Sequence, residues 1–139
     1  MYLATQARAV NAYRQVSTAT QVNLASGPQL VTLLFDALRV HLLQAENALT
    51  QNQLPEKGLA IGHAVRIIEE GLRSSLDIRR GGELSQSLND LYIYCVMTLT
   101  QANLHNDLEK VREVAGLIET VAPAWKQVAS GSTAQQEFV

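Results

Sequence analysis

Apolar residues recur every three to four positions in four successive segments of the chain, which is the spacing of amphipathic helices. The four apolar stripes span 31–49, 61–76, 84–102 and 108–125. The first follows Gly27-Pro28, and proline suits a first helical turn because its missing N–H is not needed there. Since only short links separate the segments, the pattern predicts an all-α, antiparallel up-down four-helix bundle.

Polar and glycine-containing stretches mark the predicted ends of these helices. Residues 50–57 (TQNQLPEK) predict a turn after the first helix. Arg79-Arg80-Gly81-Gly82 predicts the end of the second helix, because glycine adopts the left-handed conformation that helix ends favour. Asn106-Asp107 predicts the N-cap of the fourth helix, and Pro123 predicts a kink or an end within it.

The two ends of the chain lack a strong helical stripe. Residues 1–27 predict an N-terminal arm, either mobile or a short helix, together with a linker. Residues 28–129 predict the bundle itself. Residues 130–139 (SGSTAQQEFV) are polar and predict a disordered tail.

The first and third predicted helices carry more apolar positions than one core requires. The additional positions are Leu30, Leu33, Ala37 and Val40 in the first helix, and Ile93, Tyr94, Val96 and Met97 in the third. Two interpretations remain open. Either these helices are central and fully buried, or they form a groove that takes an amphipathic helix from a partner.

Composition excludes several classes of function. The chain has 139 residues and a net charge of −2, without the basic block that typifies a nucleic-acid binder. No apolar run approaches the roughly 20 residues that cross a bilayer, so stable membrane insertion is not expected. The single cysteine, Cys95, excludes an internal disulfide and suits a reducing compartment. No secretory signal follows Met1, so the sequence predicts a cytoplasmic protein.

The sequence also lacks the patterns of common catalytic and metal sites. None of His41, His63 and His105 lies three residues after a glutamate, and no His-Glu-x-x-His motif occurs. Cys95 falls on the apolar stripe of the third helix, where a buried thiol is not activated. We therefore expect no metal, no cofactor and no enzyme activity. His63, on the polar side of the second helix, leaves a phosphotransfer bundle open as an alternative, and a generic helical adaptor is another.

Five stretches together resemble the family of flagellar secretion chaperones named FliS. They are residues 12–15 (AYRQ), 28–38 (PQLVTLLFDAL), 67–77 (IIEEGLRSSLD), 81–94 (GGELSQSLNDLYIY) and Ala124-Trp125. Each stretch alone is a weak signal. Their order and spacing over residues 12–125 make the resemblance specific.

The resemblance implies a cytoplasmic chaperone with two partners. Members of the family bind the disordered C-terminal segment of flagellin, prevent its premature polymerisation and deliver it to the cytoplasmic domain of the flagellar export gate. The N-terminal arm covers part of the groove when no client is bound. A bundle with a spare apolar face is also able to form a homodimer in the client-free state.

The sequence and the resemblance together suggest a set of client-binding residues. Tyr13 matches the N-terminal tyrosine of the family and is expected to contact the export apparatus or the client. The others lie on the apolar faces of the first three helices: Leu30, Leu34, Leu38, Leu72, Leu91 and Tyr92.

Overall fold

The computed structural model describes the backbone of residues 27–76 and 78–138, with side chains over residues 29–76 and 81–123. Tyr13 and the predicted arm before Gly27 lie outside the described residues, as does the side chain of Trp125.

The described backbone forms four helices and no strand, which confirms the predicted all-α bundle. Helix α1 spans Gly27–Thr50. Helix α2 spans Leu54–Arg66 and continues directly as a π-helical segment, Ile67–Arg73. Helix α3 spans Ile78–His105, and helix α4 spans Leu108–Phe138. Among the described residues, no helix combines the length and the apolar character needed to cross a membrane.

Contacts between neighbouring helices fix their relative directions. Within each helix pair, residue numbers rise along one helix while those of the contacting residues fall along the other, so the helices run antiparallel. Between α1 and the second helix with its π segment, the contacts are His41–His63 and Leu34–Gly71. Between that second helix and α3 they are Lys57–Asn103 and Arg73–Asn89. Between α1 and α4 they are Arg39–Glu119 and Glu46–Arg112.

The core lies where the apolar stripes of the four helices meet. Its large side chains are almost completely removed from solvent, and each such burial contributes about 1.5–3 kcal/mol of transfer free energy. The largest of them are Tyr92, Phe35, Leu38, Leu42, Ile61, Ile68, Leu72, Leu99 and Ile118. Hydrophobic packing between all four helices therefore holds the bundle together.

The link between α3 and α4 follows the predicted capping pattern. Asn106 adopts a positive φ of 53°, and the Asp107 carboxylate accepts a hydrogen bond from the backbone N–H of Lys110 at 3.3 Å. The buried Lys57 ammonium donates to the Asn103 carbonyl at 2.9 Å and to Asn106 Oδ1 at 2.6 Å. A positive charge thus lies at the C-terminus of α3, where the helix dipole is negative.

The second helix ends earlier than the predicted stop at Arg79–Gly82. Its π segment ends at Arg73, where the Ser75 amide donates to the carbonyls of Gly71 and Leu72. The Ser75 hydroxyl donates to the Gly71 carbonyl at 2.6 Å, and such side-chain bonds compete with a further helical turn. Gly82 does adopt a positive φ, of 56°, but it interrupts α3 near its start.

The fourth helix extends beyond the predicted stop. It continues through Pro123 to Phe138, and the change from bundle to tail at residue 130 stays a prediction. An internal proline removes one backbone hydrogen bond at a cost of about 3 kcal/mol, while the flanking alanines Ala122 and Ala124 favour the helix. The boundary between arm and bundle at residue 27 stays a prediction.

Candidate binding surface

Four of the residues predicted to contact a client belong to the core. Leu34 is 5% exposed, and Leu38, Leu72 and Tyr92 are at most 1% exposed. A ligand has no access to them while the helices stay packed, so we assign these four to the core. The densest apolar stripe of each helix faces inward, because that is where the largest apolar area leaves water.

Leu30 and Leu91 are placed differently. Both are partly buried and pack against the core from its edge. Their contact with a client remains a prediction, as does that of Tyr13.

Large apolar side chains nevertheless remain exposed on the described surface, and α3 carries more than half of them. On α3 they are Leu84, Ile93, Tyr94, Met97 and Leu104; on the other helices they are Val40, Leu43, Leu54 and Leu59. Single exposed leucines are common in soluble proteins, so only their clustering is informative.

Three of these residues form one row on α3, the α3 stripe: Ile93, Met97 and Leu104. They are 36%, 58% and 74% exposed. At about 100° per residue, the three positions lie within roughly 40° of one another and opposite the buried Cys95. Helix α3 therefore carries apolar side chains both in the core and on its outer face, where the exposed Thr100 interrupts the row between Met97 and Leu104.

Polar contacts hold the neighbours of α3 in place beside the stripe. The Tyr94 hydroxyl donates to the Glu113 carboxylate of α4, and this hydrogen bond raises the pKa of Tyr94. On the other side, Arg73 of the π segment pairs with Glu69 at 2.7 Å and donates to Asn89 of α3 at 3.0 Å. The stripe thus stands on a helix that is tied to both adjacent elements.

The face between α1 and α4 has the opposite character. Two ion pairs join the helices across it: Arg39 of α1 with Glu119 of α4, and Arg112 of α4 with Glu46 of α1. Each arginine also pairs within its own helix, Arg39 with Asp36 and Arg112 with Glu109. Exposed pairs of this kind contribute at most about 1 kcal/mol each. Their main effect is to place charged side chains along this side of the bundle, beside the exposed Leu43.

The other exposed apolar residues form smaller features. Val40 and Leu43 lie three residues apart on α1 and are 53% and 58% exposed. Leu59 is 66% exposed on α2, with Gly62 and His63 as its neighbours one turn further on. The α3 stripe is therefore the longest apolar row on the described surface.

The reactive side chains of the described residues are poorly suited to catalysis. Burial raises the pKa of the Cys95 thiol to about 11, with a further contribution from the nearby Glu113 carboxylate, so the thiol stays neutral. His63, the residue of the phosphotransfer alternative, is exposed. Its ring centre lies 4.8 Å from that of the partly buried His41. No group of three or more His, Cys, Asp or Glu side chains within the described part of the chain could share a metal ion.

Sequence reasoning found only part of the α3 stripe. It identified Ile93 and Met97 as apolar positions beyond the needs of the core, but it did not identify Leu104. The angular position of Leu104 on the helix could have revealed it, since Leu104 follows Met97 by two helical turns and so lies on the same face. Sorting apolar residues by their angle from the inward stripe would have found it.

Comparison with known proteins gives matches to a single family of flagellar proteins over most of the chain. Residues 9–132 match the family model described as flagellar protein FliS. The flagellar secretion chaperone FliS of Salmonella typhimurium is 40% identical over 130 residues, covering 94% of this chain and 96% of that protein. FliS of Escherichia coli is 43% identical over 87% of this chain and 89% of its own length. The flagellar secretion chaperone FliSB of Pseudomonas aeruginosa is 42% identical, with coverage of 85% and 93%.

Proposed function

The chain belongs to the FliS family of flagellar proteins, and from that premise we propose that it is a flagellar secretion chaperone that binds the disordered C-terminal segment of flagellin. It keeps this segment from polymerising in the cytoplasm and delivers it to the flagellar export gate. The proposed activity is binding and release, without a chemical reaction.

The observation that carries the proposal is the α3 stripe. Its first and last residues, Ile93 and Leu104, are 11 positions apart, or about 16 Å along the helix axis. An amphipathic client helix presents apolar anchors over a similar length, at every third or fourth position. The exposed side chains of the stripe therefore suit the apolar face of a client segment that folds into a helix as it binds.

Covering that face also explains how a small bundle prevents polymerisation. A segment that filaments bury against neighbouring subunits exposes the same apolar area as a free monomer. Ordering it on the bundle costs about 2–5 kcal/mol or more. Burial of large apolar side chains at about 1.5–3 kcal/mol each offsets that cost. The balance permits useful affinity together with later release.

Delivery involves the export gate as a second partner. In this proposal Tyr13 contacts the gate or the client, and residues before Gly27 cover part of the client surface when no client is bound. A client-free homodimer through the same apolar face is a further element of the proposal.

The decisive experiment measures binding of a synthetic flagellin C-terminal peptide by isothermal titration calorimetry. The variant Ile93→Gln/Met97→Gln/Leu104→Gln is expected to weaken binding by at least about tenfold, because it removes the apolar contacts of the stripe. Leu59→Gln is the matched control, since Leu59 is a similarly exposed leucine away from the stripe. It should bind as the unchanged protein does.

The outcomes separate the components of the proposal. If the unchanged protein does not bind the peptide and does not co-purify with flagellin from its native host, a generic adaptor replaces the chaperone function. If it binds but the triple variant binds equally well, the client lies elsewhere on the bundle. Circular dichroism of the triple variant should show a melting temperature close to that of the unchanged protein, because Met97 and Leu104 are more than half exposed and Ile93 lies outside the buried core.

A further inference from the structure

Two histidines from different helices meet on the surface between α1 and α2. The ring centres of His41 and His63 are 4.8 Å apart, and the ring planes are tilted by 48°. The residues are 22 positions apart in sequence, so only the packing of the helices brings them together. The close approach of Leu34 to the Gly71 backbone fixes the same pair of helices further along.

A hydrogen bond orients one of the two rings. His41 Nδ1 lies 3.1 Å from Gln44 Oε1, one turn along α1. When Nδ1 donates its proton to this oxygen, the lone pair lies on Nε2 at the far side of the ring. Metal-binding histidines commonly use this arrangement, in which a second-shell acceptor fixes the tautomer. His63 is exposed, so an ion can approach from solvent.

The separation of the rings fits a shared ion. A zinc–nitrogen bond is about 2.0–2.1 Å and the nitrogen lies about 1.2 Å from the ring centre, so a bound ion lies roughly 3.2 Å from each centre. Ring centres 4.8 Å apart then subtend roughly 95–100° at the ion, close to the tetrahedral angle of about 109°. Rotation of the exposed His63 ring provides the remaining adjustment.

We propose that His41 and His63 form a two-imidazole site for a late first-row divalent metal ion, of the class Cu²⁺, Ni²⁺ or Zn²⁺. Imidazole nitrogen prefers these ions, whereas Mg²⁺ and Ca²⁺ prefer oxygen ligands. Because the described residues offer no third protein ligand, water fills the remaining positions. Metal-ligand motifs within a single helix do not reveal this pair, because His41 and His63 belong to different helices.

Binding at this site links α1 to α2. An ion held by both imidazoles binds the folded bundle more tightly than the unfolded chain, in which the two histidines are far apart. The ion therefore raises the melting temperature. Once its concentration exceeds its dissociation constant, the rise grows with the logarithm of that concentration. Arg66 lies one turn beyond His63 on the same helix, and its positive charge opposes the ion.

The test uses the full chain without any added histidine tag. Its melting temperature is measured alone and with Cu²⁺, Ni²⁺, Zn²⁺ or Mg²⁺, and binding is measured separately by calorimetry. The expected result is a rise with at least one of the first three ions and none with Mg²⁺. His41→Gln and His63→Gln should each abolish the rise, judged against the metal-free melting temperature of the same variant. His105→Gln, which alters an exposed histidine outside the pair, should retain it.

A variant of Arg66 tests whether the charge beside His63 acts on the bound ion. Arg66→Gln is expected to lower the dissociation constant of the ion by about threefold, since it removes a nearby positive charge. The proposal is overturned if no ion raises the melting temperature of the unchanged protein. It is equally overturned if the rise persists in either His41→Gln or His63→Gln, because the ion is then held elsewhere and the two rings are only packed together.

Discussion

Tyr92 illustrates how much a single buried group matters to this bundle. The residue is fully buried, yet its hydroxyl has no hydrogen-bond partner among the described residues. An unsatisfied buried hydroxyl costs about 1–3 kcal/mol of desolvation free energy. Tyr92→Phe removes that group while keeping the ring, so we expect the free energy of unfolding to stay unchanged or rise by about 1 kcal/mol. Urea denaturation followed by circular dichroism measures it.

Leu38→Ala provides the contrast for Tyr92→Phe. Leu38 is fully buried, and its truncation leaves a cavity as well as losing transfer free energy. We expect a loss of about 2–5 kcal/mol in the same urea experiment. If Tyr92→Phe also loses more than about 1 kcal/mol, the hydroxyl has a partner after all and the present account of that position is wrong.

Cys95 predicts a loss of stability at high pH. Burial raises the pKa of its thiol in the folded protein to about 11, from an ordinary value of 9.0. Because the folded pKa is the higher one, the stabilisation is fully present below pH 9 and is lost as the pH rises towards 11. Burial also raises the pKa of Tyr92, which adds a loss in the same direction.

The thiol can be followed directly. At pH 8 the folded protein should react with a thiol reagent only through unfolding, whereas protein in urea should react at once. Between pH 8.5 and 10.5, Cys95→Ala should lose less stability than the unchanged protein, measured by urea denaturation at each pH. A fast reaction of the folded protein at pH 8 would contradict the assigned burial.

At the scale of helices, replacement of glycine by alanine is expected to have opposite effects on stability at Gly71 and at Gly62. A Cβ added at Gly71 lies 2.9 Å from Leu34 Cδ1 and 3.1 Å from Cδ2, so Leu34 must move within the packed core. Overpacking of this kind costs about 1–3 kcal/mol. A Cβ at Gly62 meets no atom within 4 Å, and alanine there should stabilise the helix by about 0.5–1 kcal/mol.

Melting curves of Gly71→Ala and Gly62→Ala test this difference. The first variant should melt below the unchanged protein and the second above it. Equal shifts would mean that Leu34 adapts without cost and that the close approach of α1 to the π segment is not required.

The helices could be predicted because apolar residues recur at helical spacing along each of them. The Asn106-Asp107 cap could be predicted from its side-chain chemistry. The π segment was not, because the apolar residues of this helix continue at the same spacing through Ile67–Arg73 and do not signal the change in hydrogen bonding. The end of the second helix was misplaced for a related reason. The glycines at 81 and 82 are a strong local signal, but the helix ends at Arg73, just before two serines whose hydroxyls donate to carbonyls of the last turn.

At the scale of the whole molecule, the sequence indicated excess apolar surface but not its location. Leu34, Leu38, Leu72 and Tyr92 are as apolar as the residues of the α3 stripe, and composition cannot separate a core position from an exposed one. The separation comes from which face of each helix meets its neighbours. Ion pairs occupy the α1–α4 face, whereas the outer face of α3 carries Ile93, Met97 and Leu104. The described surface therefore carries cross-helix ion pairs on one side and its longest row of exposed apolar side chains on another.

The independence of this bundle from the start of the chain is the last prediction. Among the described residues, the buried cluster extends from Val31 to Ala122 and connects all four helices. We expect the protein truncated by deletion of residues 1–16 to keep its helical circular dichroism and to lose at most about 1 kcal/mol in the free energy of unfolding. At this chain length, such a loss lowers the melting temperature by roughly 3–6 °C. Leu38→Ala in the full chain serves as the control for a true core loss. If the deletion lowers the melting temperature as much as Leu38→Ala does, the first 16 residues form part of the core, and the proposed role of Tyr13 as a contact residue loses its basis.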